Sequence, residues 1–312
     1  LRVQVRTKPA GWTAAATFIA ILVRSFSSIS SRLTGMNLGD AVAQLEEFCP
    51  SRLAEDWDNA GLLIEPREFA LGKKLVSSVV LTNDLTSRVY EEARSLQADL
   101  IVAYHPPLFR PLRRALASSP DWPQRLLAAA FADGVAVYSP HTAWDARPDG
   151  LNDWLLAGPF GRWLEINKSA PVTPCKDTPG AGAGRWAPIS TPMSLEEAVE
   201  SVKKHLGLAN LQVVRPLSSG QQHQLTRGVA VCAGSGASLL RDIGDKCDLL
   251  LTGEMSHHEL LWHADQGRSV IVTGHSNCER PYLPVAAAAL AKRMPSLVFH
   301  VSKTDQDPLE FA

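Results

Sequence analysis

The sequence predicts an α/β protein built from two lobes, and three observations support this. Short apolar runs of strand length alternate with stretches of helix length along most of the chain, a pattern typical of βαβ units with right-handed crossovers. The alternation is interrupted once, by a stretch rich in proline and glycine at residues 171–192. At 312 residues, the chain is long enough for two domains, each with its own core.

The N-terminal lobe is predicted at residues 37–170. Its first helix begins after Asn37, because apolar residues then recur on one face at helical spacing. Strands and helices alternate after it, and each predicted strand is a short apolar run. The predicted strands are 62–64, 77–81, 100–103 and 134–138, and the helices are 87–96 and 122–132.

The segment 171–192 is predicted to be a linker because of its proline and glycine content. The C-terminal lobe is predicted at residues 193–312. Its first helix starts at Ser194, since this N-cap residue precedes acids in the first turn, and it ends near Leu206. The further strands are 212–214, 228–231, 248–251, 269–272 and 297–301, and a last helix lies near 285–292.

Composition limits the classes of partner. A formal net charge of −1 gives the chain no electrostatic reason to bind nucleic acid directly, although binding through a protein partner stays open. The hydrophobic content of 45% and the charged content of 20% are typical of a soluble globular protein. The five cysteines are widely spaced and form no C-x-x-C pair, so neither a disulfide framework nor a zinc finger is expected.

Residues 1–36 form a leader with a composition of their own. The first 35 residues contain five basic side chains and no acidic one, which is typical of an organellar transit peptide and predicts a mitochondrial protein. Alternatively the leader is translated upstream sequence, since Met36 directly precedes the first patterned segment, and the protein is cytoplasmic. The apolar stretch Trp12–Val23 is shorter than the roughly 20 residues that span a bilayer, so no membrane partner is expected.

Four of the apolar runs end at a histidine or an acid. In an open α/β sheet, ligands collect outside the carboxyl ends of the strands, so these side chains should converge. Imidazole nitrogen and carboxylate oxygen together suit zinc, manganese, iron or nickel. The sequence therefore predicts a metal site. The side chains in question are those of His105, His141, Asp145, Glu254, His275 and Glu279.

Four of these side chains form two pairs, His141 with Asp145 and His275 with Glu279. The members of each pair are four residues apart, so each pair can share an ion. A bridging carboxylate allows two ions about 3.5–4 Å apart, which activate a water molecule between them. Glu279 is the candidate bridge. Asp145 and His105 then hold one ion, and His275 holds the other.

Glu254 and His141 are the candidate catalytic residues. In a hydrolytic reaction, water attacks an electrophilic carbon, such as one in a purine ring, while Glu254 or His141 moves protons. Glu254 also suits the role of a group that orients a metal ligand. Asp84 lies at the end of another apolar run, and two roles are open to it: a place beside these strand ends, or the cap of the following helix.

Several short segments, taken as an ordered set, resemble the animal form of the NGG-interacting-factor-three-like family. The resemblance covers roughly residues 38–168 and 193–312. The segments are Asp58-Asn59-Ala60-Gly61-Leu62, Leu81-Thr82-Asn83-Asp84, Tyr104-His105-Pro106-Pro107, Ser139-Pro140-His141-Thr142, Ala233-Gly234-Ser235-Gly236, Thr252-Gly253-Glu254-Met255-Ser256-His257-His258 and His275-Ser276-Asn277-Cys278-Glu279-Arg280.

The resemblance implies two related α/β lobes with mixed sheets around a central metal cleft, in a homo-oligomer that is a dimer or a ring. Bacterial members are labelled homologues of a second type of GTP cyclohydrolase, which implies a metal-dependent hydrolase. Animal members are described as transcription co-repressor partners in cytoplasm, nucleus and mitochondria, which implies the alternative of a non-enzymatic adaptor for co-regulator proteins. The implied metal ligands are His105, His141, Asp145, His275 and Glu279.

The chain departs from the family pattern at Tyr104, where members commonly have the first of two adjacent histidines. Tyrosine is a poorer ligand for these ions, so the expectation is one or two divalent ions per chain. Many members also carry a long insert between the lobes, and here only the Pro/Gly stretch remains.

Overall fold

The computed structural model describes residues 35–217 and 224–310. The predicted leader, apart from its last two residues, lies outside the described residues. Within the described ranges, no helix is both long enough and apolar enough to cross a membrane.

The described residues form a mixed α/β fold, as predicted. Its strands are β1 Gly61–Ile64, β2 Ser78–Thr82, β3 Leu100–Ala103, β4 Ala136–Ser139, β5 Thr173–Pro174, β6 Gly182–Ala183, β7 Arg185–Pro188, β8 Met193–Ser194, β9 Gln212–Val214, β10 Gln224–Leu225, β11 Gly228–Ser235, β12 Leu249–Glu254, β13 Ser269–Val272 and β14 Val298–Val301. Its α-helices are Leu38–Phe48, Arg67–Ala70, Ser87–Ser95, Trp122–Asp133, His141–Ala146, Leu151–Phe160, Leu195–Leu206, Ala237–Arg241, His257–Asp265 and Leu283–Arg293.

The first sheet has the strand order β1-β4-β3-β2-β14. Strands β4, β3, β2 and β14 run parallel, and β1 is antiparallel to β4. The pairing of β14 with β2 differs from the predicted grouping of residues 193–312 in one lobe. Its physical reason lies in β2, whose residues Val79, Val80 and Leu81 are completely buried and whose free edge would otherwise expose unpaired backbone groups.

The second sheet has the order β7-β11-β12-β13-β9, with three parallel central strands and two antiparallel edges. Strand β7 lies inside the segment 171–192 that composition predicts to be a linker. Arg185 orders this segment: its buried guanidinium forms an ion pair with Asp153 at 2.8 Å and donates to the carbonyls of Gly182 and Gly184. Pro/Gly content alone does not reveal such a network.

The helix Leu195–Leu206 shows how local signals set the elements of this fold. The Ser194 hydroxyl accepts a hydrogen bond from the Glu197 amide, and the Glu197 carboxylate accepts one from the Ser194 amide. This reciprocal capping starts the helix. Gly207, at φ +70°, ends it in the left-handed conformation that glycine adopts most easily. The predicted helix is confirmed.

One continuous hydrophobic cluster joins the two sheets. It includes Leu45 and Leu81 from the first part of the chain and Leu195 and Leu251 from the second. A close-packed interior has low compressibility, so this shared cluster holds the two sheets in a fixed relation. Side chains from the carboxyl ends of both sheets can therefore build one site.

Candidate metal site

The strand ends of the two sheets meet. His105 and His141 follow β3 and β4 of the first sheet, and His275 follows β13 of the second. The ring centroid of His105 lies 5.2 Å from that of His275 and 5.5 Å from that of His141. The three imidazoles thus face one another across the junction of the sheets.

His105, His275 and Glu279 form a cluster whose possible ligand atoms all lie within 4.8 Å of one another. The Glu279 carboxylate is almost completely buried. Its Oε2 lies 3.4 Å from His105 Nε2, and its Oε1 lies 3.7 Å from His275 Nε2. Two imidazoles and a carboxylate are a ligand set that suits a divalent transition metal, and these are three of the five predicted ligands.

Each imidazole of this cluster is also held at its Nδ1 atom by a further carboxylate. His105 Nδ1 lies 2.9 Å from Asp84 Oδ1, and His275 Nδ1 lies 3.0 Å from Glu254 Oε1. A carboxylate that accepts from Nδ1 sets the tautomer and the ring orientation and leaves Nε2 available to a metal. Both Nε2 atoms face Glu279, so the arrangement is that of histidines already oriented for an ion.

His141 has the same kind of support but lies outside the three-residue cluster. Its Nδ1 is 2.6 Å from Asp58 Oδ1, and Asp58 Oδ2 accepts from the Thr142 amide at 3.1 Å and from its hydroxyl at 2.5 Å. Burial opposes ionisation of Asp58, but the hydrogen bonds from His141 and Thr142 outweigh it and lower the pKa of this carboxyl. Asp58 therefore remains an anion that holds the His141 ring in place.

Asp145 is held by the residue that departs from the family pattern. The Tyr104 hydroxyl donates to Asp145 Oδ1 at 2.7 Å. Burial, together with the nearby Glu279 carboxylate, raises the pKa of Asp145 to about 7, although Tyr104 and His141 favour its ionised form. Burial also raises the pKa of Tyr104 well above its usual value. A neutral phenol thus occupies one oxygen of the carboxylate that was expected to bind an ion.

Glycine permits the backbone of β11 to approach the cluster. A Cβ on Gly234 would lie 2.7 Å from Glu279 Oε1 and 3.2 Å from His275 Nε2, and its φ of +62° also favours glycine. The Gly234 amide donates to the Cys278 thiol. Burial raises the pKa of Cys278 to about 12, so this thiol stays protonated.

The interpretation of Asp84 as a helix cap is wrong. The helix Ser87–Ser95 is capped by Thr86, whose side chain accepts from the Val89 amide. Asp84 instead holds His105, and burial of its carboxyl is outweighed by the His105 hydrogen bond, which lowers its pKa. The position of Asp84 just after a parallel strand was the signal that pointed to the site.

Two further residues escaped sequence reasoning. The Asn83 side-chain amide donates to Glu279 Oε2 at 3.1 Å, and its backbone amide donates to Asp305 Oδ2 at 2.6 Å. Asp305 also pairs with Arg280 at 3.2 Å. Because Asp305 follows β14, its place depends on the long-range pairing of β14 with β2, and no local pattern in the sequence indicates it.

The metal-free protein is expected to lose stability as pH rises. Burial disfavours a charged His105, but Asp84 and Glu279 outweigh it and raise the pKa of His105 to about 10, whereas an unfolded histidine titrates near about 6.5. The folded state therefore binds the extra proton between these values. This stabilisation is complete below about pH 6.5 and is lost as pH rises through about 10.

Urea unfolding of metal-free protein across this pH range measures the effect. In Asp84→Asn protein the free energy of unfolding should fall less steeply with pH, because one of the two carboxylates that raise the His105 pKa is gone. Equal pH dependence of the unfolding free energy in the two proteins would contradict the role of Asp84 in raising the His105 pKa.

Metal must also displace the His105 proton, so metal binding should release a proton near neutral pH. Calorimetry in buffers of different ionisation enthalpy detects this release.

Two cavities flank the cluster, and His275 lines both. The first, called the His141 cavity, has a volume of about 450 Å³ and is also lined by Trp57, Tyr104 and His141. The second, called the Glu254 cavity, has a volume of about 650 Å³ and is also lined by His105 and Glu254. The site can therefore be reached from two sides.

The sequence profile of the Duf34/NIF3 family, described as NGG1p interacting factor 3, matches residues 36–308. The chain belongs to the Duf34/NIF3 family. The resemblance found in the short segments is thereby confirmed. It extends through both sheets and includes every residue of the cluster.

Two curated relatives show how far the similarity to Duf34/NIF3 proteins extends. NIF3-like protein 1 of Drosophila melanogaster is 43% identical over 279 residues, which cover 88% of this chain and 89% of the relative. A protein of Clostridium perfringens named GTP cyclohydrolase 1 type 2 homolog is 30% identical over 278 residues, which cover 88% of this chain and 100% of the relative.

A solved structure supports the same fold. The Bacillus cereus protein related to NIF3 superposes with a TM-score of 0.75 at 19% identity, over 88% of this chain and 98% of that protein. At this level of identity, the similarity concerns the fold. The mixed α/β architecture described above is therefore that of the Duf34/NIF3 family.

Proposed function

We propose that this Duf34/NIF3 protein is a divalent-metal-dependent hydrolase. The observation that carries the proposal is the orientation of the imidazoles: Asp84 and Glu254 hold the Nδ1 atoms of His105 and His275 and leave both Nε2 atoms facing Glu279. An arrangement of this kind is costly for a protein that does not bind metal, because it gathers carboxylates and imidazoles in a largely buried site.

The residues present fit a divalent ion. His105, His275 and Glu279 would hold it, because their ligand atoms lie within 4.8 Å of one another and both histidines have the outer partners that ligating histidines usually have. A bound ion would supply Lewis-acid chemistry, which polarises a substrate and lowers the pKa of a water molecule. Zinc, manganese, iron and nickel all suit this ligand set.

His141 is the residue that moves protons. Its Nδ1 is fixed by the ionised Asp58 at 2.6 Å, and the residue lines the His141 cavity beside His275 and Glu279. An imidazole that is oriented by a carboxylate and faces a cavity can take a proton from the attacking water at Nε2 and return it to the leaving group. Asp58 stabilises the imidazolium that forms.

The sequence left two roles open for Glu254, moving protons and orienting a metal ligand, and we assign it the orienting role. Its Oε1 lies 3.0 Å from His275 Nδ1, so this carboxylate is already engaged in orienting His275, one of the residues that would hold the ion. The name of the Clostridium relative, GTP cyclohydrolase 1 type 2 homolog, supports hydrolysis at an electrophilic ring carbon.

Turnover by metal-loaded protein tests the proposal. Metal-free protein is reloaded with zinc, manganese, iron or nickel and incubated with purine nucleosides and nucleotides, and the products are separated by chromatography. We expect turnover that requires metal. In His141→Gln protein the kcat should fall by about 10²–10⁴-fold, the usual size of a general acid–base contribution, while the metal content stays unchanged.

Two outcomes would overturn this assignment. If His141→Gln protein loses its metal together with its activity, His141 is a ligand, as the sequence predicted, and not the proton-transfer group. If no metal supports turnover of any compound in the panel, the hydrolase proposal fails.

The second candidate function is that of an adaptor for transcription co-regulator proteins. The Tyr104–Asp145 hydrogen bond favours it, because a phenol occupies an oxygen that a two-ion hydrolase would need. The description of the family as NGG1p interacting factor 3 also supports protein partners. In this case the metal site is structural, and pull-downs with Glu279→Gln protein test whether partner binding needs the ion. Assembly into a homo-oligomer remains a prediction.

A further inference from the structure

Both cavities beside the metal cluster are acidic. Among the residues that the structure describes, neither cavity has a lysine or an arginine in its lining. The His141 cavity is lined by the carboxyl groups of Glu55, Asp145, Asp242 and Glu279. The Glu254 cavity is lined by those of Asp84, Glu254, Asp307 and Glu310.

This lining is a poor environment for a polyphosphate. Phosphate groups are recognised by arginine, by lysine or by free backbone amides at helix starts, and like charges at close range cost several kcal/mol. One divalent ion held by Glu279 leaves a single positive charge to set against the remaining carboxylates. A nucleoside triphosphate would therefore be repelled on either side of the cluster.

Two exposed aromatic rings lie beside the His141 cavity: Trp57 lines it, and Phe109 lines a neighbouring cavity that Trp57 also lines. Trp57 is 62% exposed and Phe109 is 49% exposed, and their ring centroids lie 6.0 Å apart in an edge-on arrangement. The His141 ring lies 6.0 Å from Trp57 and 6.2 Å from Phe109. The rings of Trp57 and Phe109 therefore both lie close to the group that moves protons.

The backbone beneath this aromatic pair is fixed. Asp58, the neighbour of Trp57, is tied to His141 and to the Thr142 amide and hydroxyl. The side-chain amide of Asn59 donates to the Leu108 carbonyl, next to Phe109. An exposed ring on a fixed backbone offers a face on which a flat ligand stacks with little ordering cost.

We propose that the ligand of this site is an uncharged planar heterocycle of nucleobase or nucleoside size, which stacks on Trp57 beside Phe109 and enters the His141 cavity. The lining carboxylates then accept hydrogen bonds from ring N–H and amino groups, where phosphates would be repelled. This inference rests on the proposed function, whose substrate class it names. It departs from the nucleotide suggested by the name of the Clostridium relative.

Equilibrium binding to metal-loaded wild-type protein tests the proposal without requiring turnover. The probes are guanosine, adenosine, GMP and GTP, measured at one salt concentration by equilibrium dialysis. At least one nucleoside should bind, and its affinity should exceed that of the corresponding nucleotide by at least about tenfold because of the acidic lining. Raising the salt concentration should narrow the difference, since salt screens the repulsion.

Substitutions of Trp57 test the stacking. Trp57→Ala should weaken nucleoside binding by about tenfold or more, the range expected for loss of base stacking, while Trp57→Phe should retain most of the affinity. Metal content should not change in either variant. Trp122→Ala is the matched control, because Trp122 is also partly exposed, at 41%, but does not line either cavity.

Several results would overturn the inference. These are the failure of both nucleosides to bind, nucleoside binding that is insensitive to Trp57→Ala, and tighter binding of GTP than of guanosine. Tighter GTP binding that is lost in Arg110→Ala protein would identify the phosphate site, because Arg110 lines the neighbouring cavity that Trp57 also lines. Trp57-dependent binding of a nucleoside without turnover would defeat the hydrolase proposal alone.

Discussion

Glu279→Gln protein is expected to lose its bound divalent ion. Glu279 is the only member of the described cluster that faces both imidazoles, with one oxygen 3.4 Å from His105 Nε2 and the other 3.7 Å from His275 Nε2. The amide has nearly the same shape but no charge. Metal affinity should therefore fall by more than the roughly 10–100-fold that loss of an outer partner costs, and mass spectrometry of natively purified protein should find almost no metal.

Matched variants separate the ligand from its supports. Glu254→Gln removes the carboxylate behind His275, and we expect metal affinity to fall by about 10–100-fold, the usual size of such an effect. Glu310→Gln alters an exposed acid in the lining of the Glu254 cavity and should leave the affinity unchanged. A Glu279→Gln protein that retained the wild-type metal content would exclude the cluster as the metal site.

Tyr104→His protein is expected to bind a second ion. In the wild-type chain the Tyr104 hydroxyl holds Asp145 Oδ1 at 2.7 Å, and the Tyr104 ring lies 5.6 Å from the ring of His141. An imidazole at this position would offer a nitrogen next to Asp145 and His141 and would release the carboxylate oxygen. With Glu279 as the bridge, the metal content should rise from about one to about two ions per chain.

Tyr104→Phe is the control for this experiment, since it removes the hydroxyl without adding a ligand. Asp145 then loses a hydrogen bond that favours its ionised form, so we expect its pKa to rise further and the protein to keep about one ion. A wild-type protein that already holds two ions would show that Tyr104 does not block the second position. Near-ultraviolet circular dichroism checks that both variants keep the wild-type packing.

The helices and strands could be predicted from the sequence because the residue patterns that determine them are local. The periodicity after Asn37 predicts a helix, and the helix Leu38–Phe48 is observed. The apolar run Ser269–Val272 is predicted as a strand and is observed with the same bounds. Such patterns arise from which face of an element is buried, so each needs only a short window of sequence.

Part of the site could also be predicted, because its histidines follow strands that the sequence reveals. His105 and His275 stand at the ends of buried parallel strands, and the carboxyl ends of such strands meet at one edge of a sheet. Their convergence with Glu279 needed only the fold class. The supports were not readable in this way: Asp58 and His141 are 83 residues apart in the chain, and no local rule joins them.

The sequence by itself determined the fold class, the family and the residues that bring metal-binding chemistry to the strand ends. The tertiary structure decided which partners these residues have. It paired β14 with β2 and so brought Asp305 to Asn83, it ordered the Pro/Gly segment around Arg185, and it placed the Tyr104 hydroxyl on Asp145. Burial patterns have a short period along the chain, whereas hydrogen bonds between distant residues depend on the packing of the whole molecule.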